Sequence, residues 1–462
     1  MLAAMTYRTN AMAEDRSFLN KRILIVGLGA TGLSCARFLT SQGAEIAVTD
    51  SRANPPSLEA LRNELPDVAV FVGCFDVDAF ARAECLVVSP GVSLREPLII
   101  EARARGVEIL GDIEIFAHFA NAPVIAITGS NGKSTVTALV AEMARESGLK
   151  IAMGGNIGTP ALDLLAQAPD LYVLELSSFQ LETTSSLEPA AAVILNISED
   201  HMDRYSSVSD YTAAKMRIYH GGGGLVINRD DPLVRATLAM VQHGRPVVRF
   251  GLEQPAEGDF GLSDQNGEAW LCKGRECLLA ERELKIKGRH NIANALAALA
   301  LGQLVGLSQA AMLTVLQRFR GLPHRCQWVR EHQGVVWYND SKATNVGAAL
   351  AAIEGIPAGK LILIAGGQGK DQDFAPMREA VSARCRAVIL FGEDAPLIQN
   401  ALAGTVSLVR VKSLAEAVDQ AAELGQAGDA VLLSPACASF DMFKGYADRG
   451  EQFVALVEGL TA

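Results

Sequence analysis

A chain of 462 residues is too long for one compact core, and two to four domains are expected. Its 49% hydrophobic and 20% charged residues are those of an ordinary globular protein, and no run approaches the ~18 apolar residues of a membrane span. The net charge of −11 argues against a nucleic-acid partner but not against anionic small molecules, which local loops can attract.

The opening MLAAMTYRTNAMAEDRSFLNK lacks the continuous apolar stretch of a secretory signal, so residues 1–19 are expected to be a flexible extension. Eight cysteines are scattered without a CxxC, the closest pair being Cys272 and Cys277. This usage predicts reduced thiols in a cytoplasm, and neither a zinc site nor a disulfide frame. The runs KRILIVG, CLVVSP, PVIAITG, LYVLELS, AAVILNIS, KLILIAGG, RAVILFG and AVLLSPA alternate with helical patterns. Apolar runs of this length predict strands of parallel sheets covered on both faces, hence a doubly wound α/β protein. Three domains are expected: a Rossmann-like one over 20–111, a central parallel-sheet domain of P-loop ATPase type over 112–321, and a second Rossmann-like one over 322–462. Within the central block, GDFGLSDQNGEAWLCKGRECLLAERELKIKG reads as a small β-rich insertion, and the helix NIANALAALALGQLV follows it.

The first strand runs into GLGATG, with Gly27, Gly29 and Gly32 at the spacing of a dinucleotide-binding turn. Asp50 ends the next strand, AEIAVTD, where such a fold grips a ribose. An NAD or FAD site and glycines serving only helix–strand packing are both open at this point.

GSNGKST, residues 129–135, is a second phosphate cradle, but not the G-x-x-x-x-G-K-[ST] form, because Ile127 stands where the first glycine would be. A strand ending at Thr128 and a helix opening near Lys133 aim backbone N–H groups and a helix N-terminus at a phosphate. Lys133 adds a point charge, and Ser134 or Thr135 is placed to ligate Mg²⁺. Glu175 closes the strand YVLE, a natural metal-ligand position beside a P-loop and otherwise a surface carboxylate. NISEDHMDRY then clusters Asp200, His201 and Asp203, and Lys215 follows on a helix, where the residues alone read it as a surface lysine. In the last block, NDSKATN, GGQGKDQDF and SPACASFDMFKGY each follow a strand. They carry Asp340, Lys342, Thr344, Lys370, Ser439 and Lys444 toward one face, a set suited to a dianion such as an amino dicarboxylate.

TGSNGKS, SSFQLE, EDHMDRY, GRHNIANALAA, GLPHR, NDSKATN and SPACAS together resemble the Mur ligase family, in its D-glutamate-adding branch, over nearly the whole chain from residue 20. The D-N-P-R signature of the branch that adds a diamino acid is absent. The resemblance implies that GSNGKST (Gly129, Ser130, Asn131, Gly132, Lys133, Ser134, Thr135) holds ATP, joined by Asn291, Asn294, Arg325, Asp340 and Lys342. GLGATG would then hold the UDP end of UDP-N-acetylmuramoyl-L-alanine through Ala30, Thr31, Asp50, Ser51, Arg52 and Ser89, with Asn156 in support. Thr344, Lys370, Ser439 and Phe443 would receive D-glutamate, although Gln368 departs from the GGDGK form of the branch. Two Mg²⁺ ions are implied, one on Ser134 and Glu175, the other on His201 and a carbamylated Lys215; Lys133, His201 and Lys215 would be catalytic. The implied chemistry is ATP-driven formation of an acyl phosphate on the lactoyl-L-alanine carboxylate, followed by amine attack, in cytoplasmic peptidoglycan precursor synthesis. A monomer that closes around ATP is expected. The competing readings are an NAD(P)-dependent oxidoreductase, an ATP-driven switch without ligation, and a ligase of the same superfamily with a different acceptor.

Overall fold

The computed structural model describes residues 17–198, 200, 204–241, 244–369 and 372–461. Residues 1–16 of the expected extension, His201, Asp203 and Lys370 lie outside that range. The chain divides into two compact units, the first running through Glu281 and taking in Ala293–Val315, the second made of Arg282–Ile292 and the chain from Leu316.

The first unit holds two sheets. A 5-stranded one has the order Ala69–Val72, Glu45–Asp50, Arg22–Val26, Cys85–Val88, Glu108–Leu110, with every pairing parallel. Beside it, a 9-stranded sheet has the P-loop strand Val124–Thr128 between Ala191–Ile194 and Leu171–Glu175. Each of these strands is buried throughout, because its Val/Ile/Leu side chains face helices on both sides. At the far edge the expected insertion forms an antiparallel meander, Phe260–Gln265, Glu268–Lys273 and Glu276–Ala280. One apolar cluster runs beneath both sheets, from Ile23, Ile25 and Leu39 to Leu174, Ala192 and Ile227.

The second unit carries a 6-stranded sheet in the order Gln327–His332, Val335–Asn339, Ala430–Leu433, Leu361–Gly366, Cys385–Phe391, Ser407–Arg410. Only its first pairing is antiparallel, so the loops after Val335–Asn339, Leu361–Gly366 and Ala430–Leu433 leave adjacent strands at one end. Among the described residues no helix is long and apolar enough to cross a membrane.

Candidate active site

The missing glycine of the phosphate loop has a structural reason. Ile127 is still inside its strand, fully buried and in register with Glu175 on one side and Val193 on the other, so the loop is shorter by the length of that continuation. Gly132 then turns the chain with φ of +83°, a left-handed conformation that glycine adopts without strain, and caps the helix Lys133–Glu146. A side chain there would also collide with the amide of Asn294. The loop is braced from the neighbouring strand end. Asn131 N–H donates to Asn196 Oδ1 (2.8 Å), Asn196 Nδ2 donates back to Asn131 O (3.1 Å), and Ser198 N–H donates to Ser130 Oγ (3.0 Å).

Lys215 is not a surface lysine. It is 1% exposed, on the helix Val208–Met216, and its Nζ donates to Gly129 O at 2.9 Å. Lys133 Nζ donates to the same carbonyl at 2.9 Å and to Ser130 O at 3.0 Å. The Tyr211 ring lies 4.4 Å from Lys215 Nζ. Burial first, then repulsion from Lys133, pull the Lys215 ammonium down to about 7, with Asp200 opposing them. Near neutrality this amine is therefore substantially uncharged.

Glu175, 2% exposed, is likewise no surface residue. Its Oε1 accepts from Asn156 Nδ2 at 2.7 Å, while the buried Oε2 has no hydrogen-bond partner among the described residues. A carboxyl oxygen kept dry and unpartnered beside such a loop is what a bound cation would satisfy. No group of three or more His, Cys, Asp and Glu side chains is arranged for a metal among the described residues, and His201 lies outside them.

GLGATG opens on a cavity of about 460 Å³ that brings together Ala30, Thr31, Asp50, Ser51, Arg52, Ser89 and Asn156. Gly27, at φ of +99°, passes so close to Ser89 that a Cβ would crowd it, and Ser89 Oγ donates to Gly27 O at 2.8 Å. The helix Ala30–Ser41 begins here and turns its N-terminal end toward the cavity. Asp50 accepts from Leu28 N–H (2.7 Å) and is clasped by Arg52 through Nε (2.9 Å) and Nη2 (2.7 Å). Burial alone would raise this carboxyl; the Arg52 and Leu28 hydrogen bonds reverse the effect and leave it below its ordinary value. The pair presents a guanidinium to the cavity, which suits an anion better than a ribose hydroxyl seeking a free carboxylate. Asn156 is the hinge of the arrangement, since it lines this cavity and also holds Glu175.

In the second unit the three strand-end loops do meet. Asp340, 6% exposed, accepts from Cys326 N–H (3.1 Å) and Ser434 Oγ–H (2.8 Å), and burial raises its carboxyl to about 6. Gln368 and Ala438 exchange backbone hydrogen bonds of 3.0 and 2.9 Å, so the Gln368 departure leaves its loop paired to the SPACAS segment. Lys342 Nζ lies 5.2 Å from the Tyr446 ring, and Ser439 is buried, its carbonyl accepting from Phe443 N–H at 2.8 Å. Thr344 is half-buried on the first of these loops; Arg325 is exposed and Asn291 half-buried.

Sequence reasoning passed over several residues of these sites. Gln180 lines the first cavity, its amide fixed by accepting from Ser177 N–H and donating to Asp112 Oδ2 at 2.9 Å. Arg204, the arginine of EDHMDRY, donates to Pro90 O and Val92 O at 2.9 Å each and so ties the cavity wall to the larger sheet. Arg449, fully buried, donates to Ser341 Oγ (2.9 Å), Ser341 O (2.8 Å) and Cys437 O (3.1 Å). The signal for Arg449 was present, because it shares with Phe453 and Val457 the i, i+4, i+8 stripe of the helix Tyr446–Glu458.

Three family models match the chain in succession. Residues 21–111 match the Mur ligase MurD-like N-terminal domain, 127–302 the Mur ligase middle domain, and 324–437 the Mur ligase glutamate ligase domain. The UDP-N-acetylmuramoylalanine--D-glutamate ligase of Nitrosococcus oceani is 58% identical over 432 residues, 93% of this chain and 95% of that protein. Its counterpart in Pseudomonas aeruginosa is 56% identical over 440 residues, covering 95% and 98%. Among solved structures, the UDP-N-acetylmuramate-alanine ligase MurC of Thermotoga maritima shares the fold, with a TM-score of 0.55 at 21% identity over 95% of this chain and 99% of that one. Matched by three Mur ligase models in succession and by relatives of more than 50% identity over nearly its whole length, the chain belongs to the Mur ligase family.

Proposed function

We propose that this protein joins D-glutamate to UDP-N-acetylmuramoyl-L-alanine at the expense of ATP, as its relatives' name describes, in the cytoplasm and as a monomer. The observation that carries the reading is the Asn156–Glu175 hydrogen bond of 2.7 Å. It joins the cavity after GLGATG to the carboxylate beside the phosphate loop, so one substrate held in that cavity would extend its carboxylate end toward the γ-phosphate of ATP.

A carboxylate is a poor electrophile until an oxygen becomes part of a leaving group, and transfer of the γ-phosphoryl group to it supplies that. The amine of D-glutamate then attacks the acyl carbon and inorganic phosphate departs. The protein must crowd phosphate and carboxylate charge into one place, and preorganised cations make this feasible. Lys133 is the first of them. Ser134 and the unpartnered Oε2 of Glu175 fit a Mg²⁺ ion, whose chemistry when bound is to neutralise charge on the phosphate oxygens. Lys215, with its ammonium lowered to about 7, offers a neutral amine near neutrality that is suited to add to CO₂ through its lone pair and lose a proton, giving an N-carboxylate. That group, with His201, would complete a second Mg²⁺ site. Arg52 and the helix starting at Ala30 would hold the UDP phosphates. Asn291, Asn294, Arg325, Asp340 and Lys342 would serve ATP, and Thr344, Lys370, Ser439 and Phe443 the incoming D-glutamate.

The test is phosphate release from ATP and Mg²⁺ with the sugar nucleotide, supplied with D-glutamate, L-glutamate, other amino acids or none. Release that requires both the sugar nucleotide and D-glutamate is expected. Release indifferent to both would replace ligation by an ATPase switch, and release with another acceptor would move the substrate within the family.

A further inference from the structure

The hairpin at the edge of the larger sheet carries chemistry that ligation does not use. Cys272 and Cys277 face each other in antiparallel register, next to the Lys273–Glu276 pair that closes the turn. Their Sγ atoms are 3.3 Å apart. On the other flank Cys272 is opposite Gly261, which has no side chain, so Cys277 is the side-chain neighbour on its rung of the meander. One thiol is exposed, that of Cys277, and the other is buried.

We propose that Cys272 and Cys277 form a redox-active dithiol, a modification site at which a low-molecular-weight disulfide converts the pair into one intramolecular disulfide. The exposed Cys277 thiolate attacks a sulfur of the external disulfide; a Cys277 Sγ–S bond forms, and one thiolate leaves and takes up a proton. The Cys272 thiol then gives up its proton and attacks Cys277 Sγ, forming the Cys272–Cys277 bond and expelling the second external thiolate. Two protein thiols are oxidised and one external disulfide is reduced to two thiols. The sulfurs must approach from contact to the ~2 Å of a bond, a movement that side-chain rotation on adjacent strands can supply. Burial, and after it the neighbouring Cys277 sulfur, hold the Cys272 thiol well above its ordinary value. The contribution of Cys277 as a charge disappears once its sulfur carries the mixed disulfide, so the first step favours the second.

The experiment uses the full-length protein with oxidised glutathione as the probe, followed by iodoacetamide and peptide mass analysis. The expected product links Cys272 and Cys277 with loss of two hydrogens and no alkyl group on either, while exposed Cys74 is scored alongside as a comparison. Cys272→Ser is expected to accumulate a glutathione adduct at Cys277, and Cys277→Ser to leave Cys272 reduced. A wild-type protein that stops at the Cys277 adduct, or in which Cys74 is modified and Cys277 is not, would overturn the proposal.

Discussion

Lys133 and Lys215 place their ammonium nitrogens each 2.9 Å from one acceptor, the carbonyl oxygen of Gly129. Two cations on a single carbonyl repel each other, and burial together with that repulsion lowers the Lys215 ammonium to about 7. Because burial pulls its folded value down to about 7 from an ordinary 10.5, the protein bears the full cost of a buried charge below pH 7 and progressively less up to 10.5. Lys215→Met, close in volume but unable to ionise, is therefore expected to raise Tm in bicarbonate-free buffer, more at pH 6 than at pH 9. Phosphate release should fall at least ~100-fold in the same variant. In the wild type, labelled bicarbonate should give a carbamate ¹³C signal that fades as pH drops below 7 and is absent from the variant. A Tm gain equal at both pH values would show that the amine is charged throughout.

Glu175→Gln keeps an oxygen for Asn156 to donate to but removes the charge on the unpartnered side. The expected outcome is a rise in the Mg²⁺ concentration for half-maximal phosphate release, with turnover at saturating Mg²⁺ reduced by roughly 100-fold. An unchanged Mg²⁺ titration would remove Glu175 from the cation site.

The glycine turns were readable because a tight strand-to-helix turn over a phosphate leaves few residue types that fit. Thus Gly27 and Gly132 turn their loops with positive φ, and the residues around the first turn, from Ala30 to Asn156, line one cavity. Strands buried on both faces were readable for a similar reason, since their side chains answer to packing alone. Lys215 was not readable by residue type, because a lysine on a helix is ordinarily solvated. Its burial comes from packing of Tyr211, Ala214 and Lys215, the i, i+3, i+4 face of the helix Val208–Met216, against the rest of the fold. The Gln180 role depends on a capping box with Ser177 and on Asp112, 68 residues away, a pairing no local pattern encodes.

Arg52→Lys tests the anion cavity. Lysine keeps the charge but cannot clasp Asp50 with two nitrogens, so the cation loses its fixed direction. The KM for the sugar nucleotide should rise by about tenfold, the worth of one such contact, while that for ATP stays within about twofold. Equal rises for both substrates would mean that the cavity is not a separate subsite.

Arg449 ties Ser341 on one strand-end loop to Cys437 on another, by hydrogen bonds of 2.8 Å to Ser341 O and 3.1 Å to Cys437 O. Burial lowers its guanidinium to about 10, so it remains charged at neutral pH without a carboxylate in hydrogen-bond contact. The carbonyl oxygens around it are its counter-charge. Arg449→Met removes the cation and leaves those oxygens buried and unpaired, at an expected cost of about 3–5 kcal/mol. The milder Arg449→Lys should retain part of the stability, since an ammonium reaches one or two acceptors but cannot span both loops. Its expected signature is kinetic: a rise in KM for D-glutamate larger than the rise for the sugar nucleotide, because the site proposed for the latter lies on elements of the first unit. A purely structural role would lower the amount of active enzyme and leave both KM values alone, which steady-state kinetics on active-site-titrated protein distinguishes.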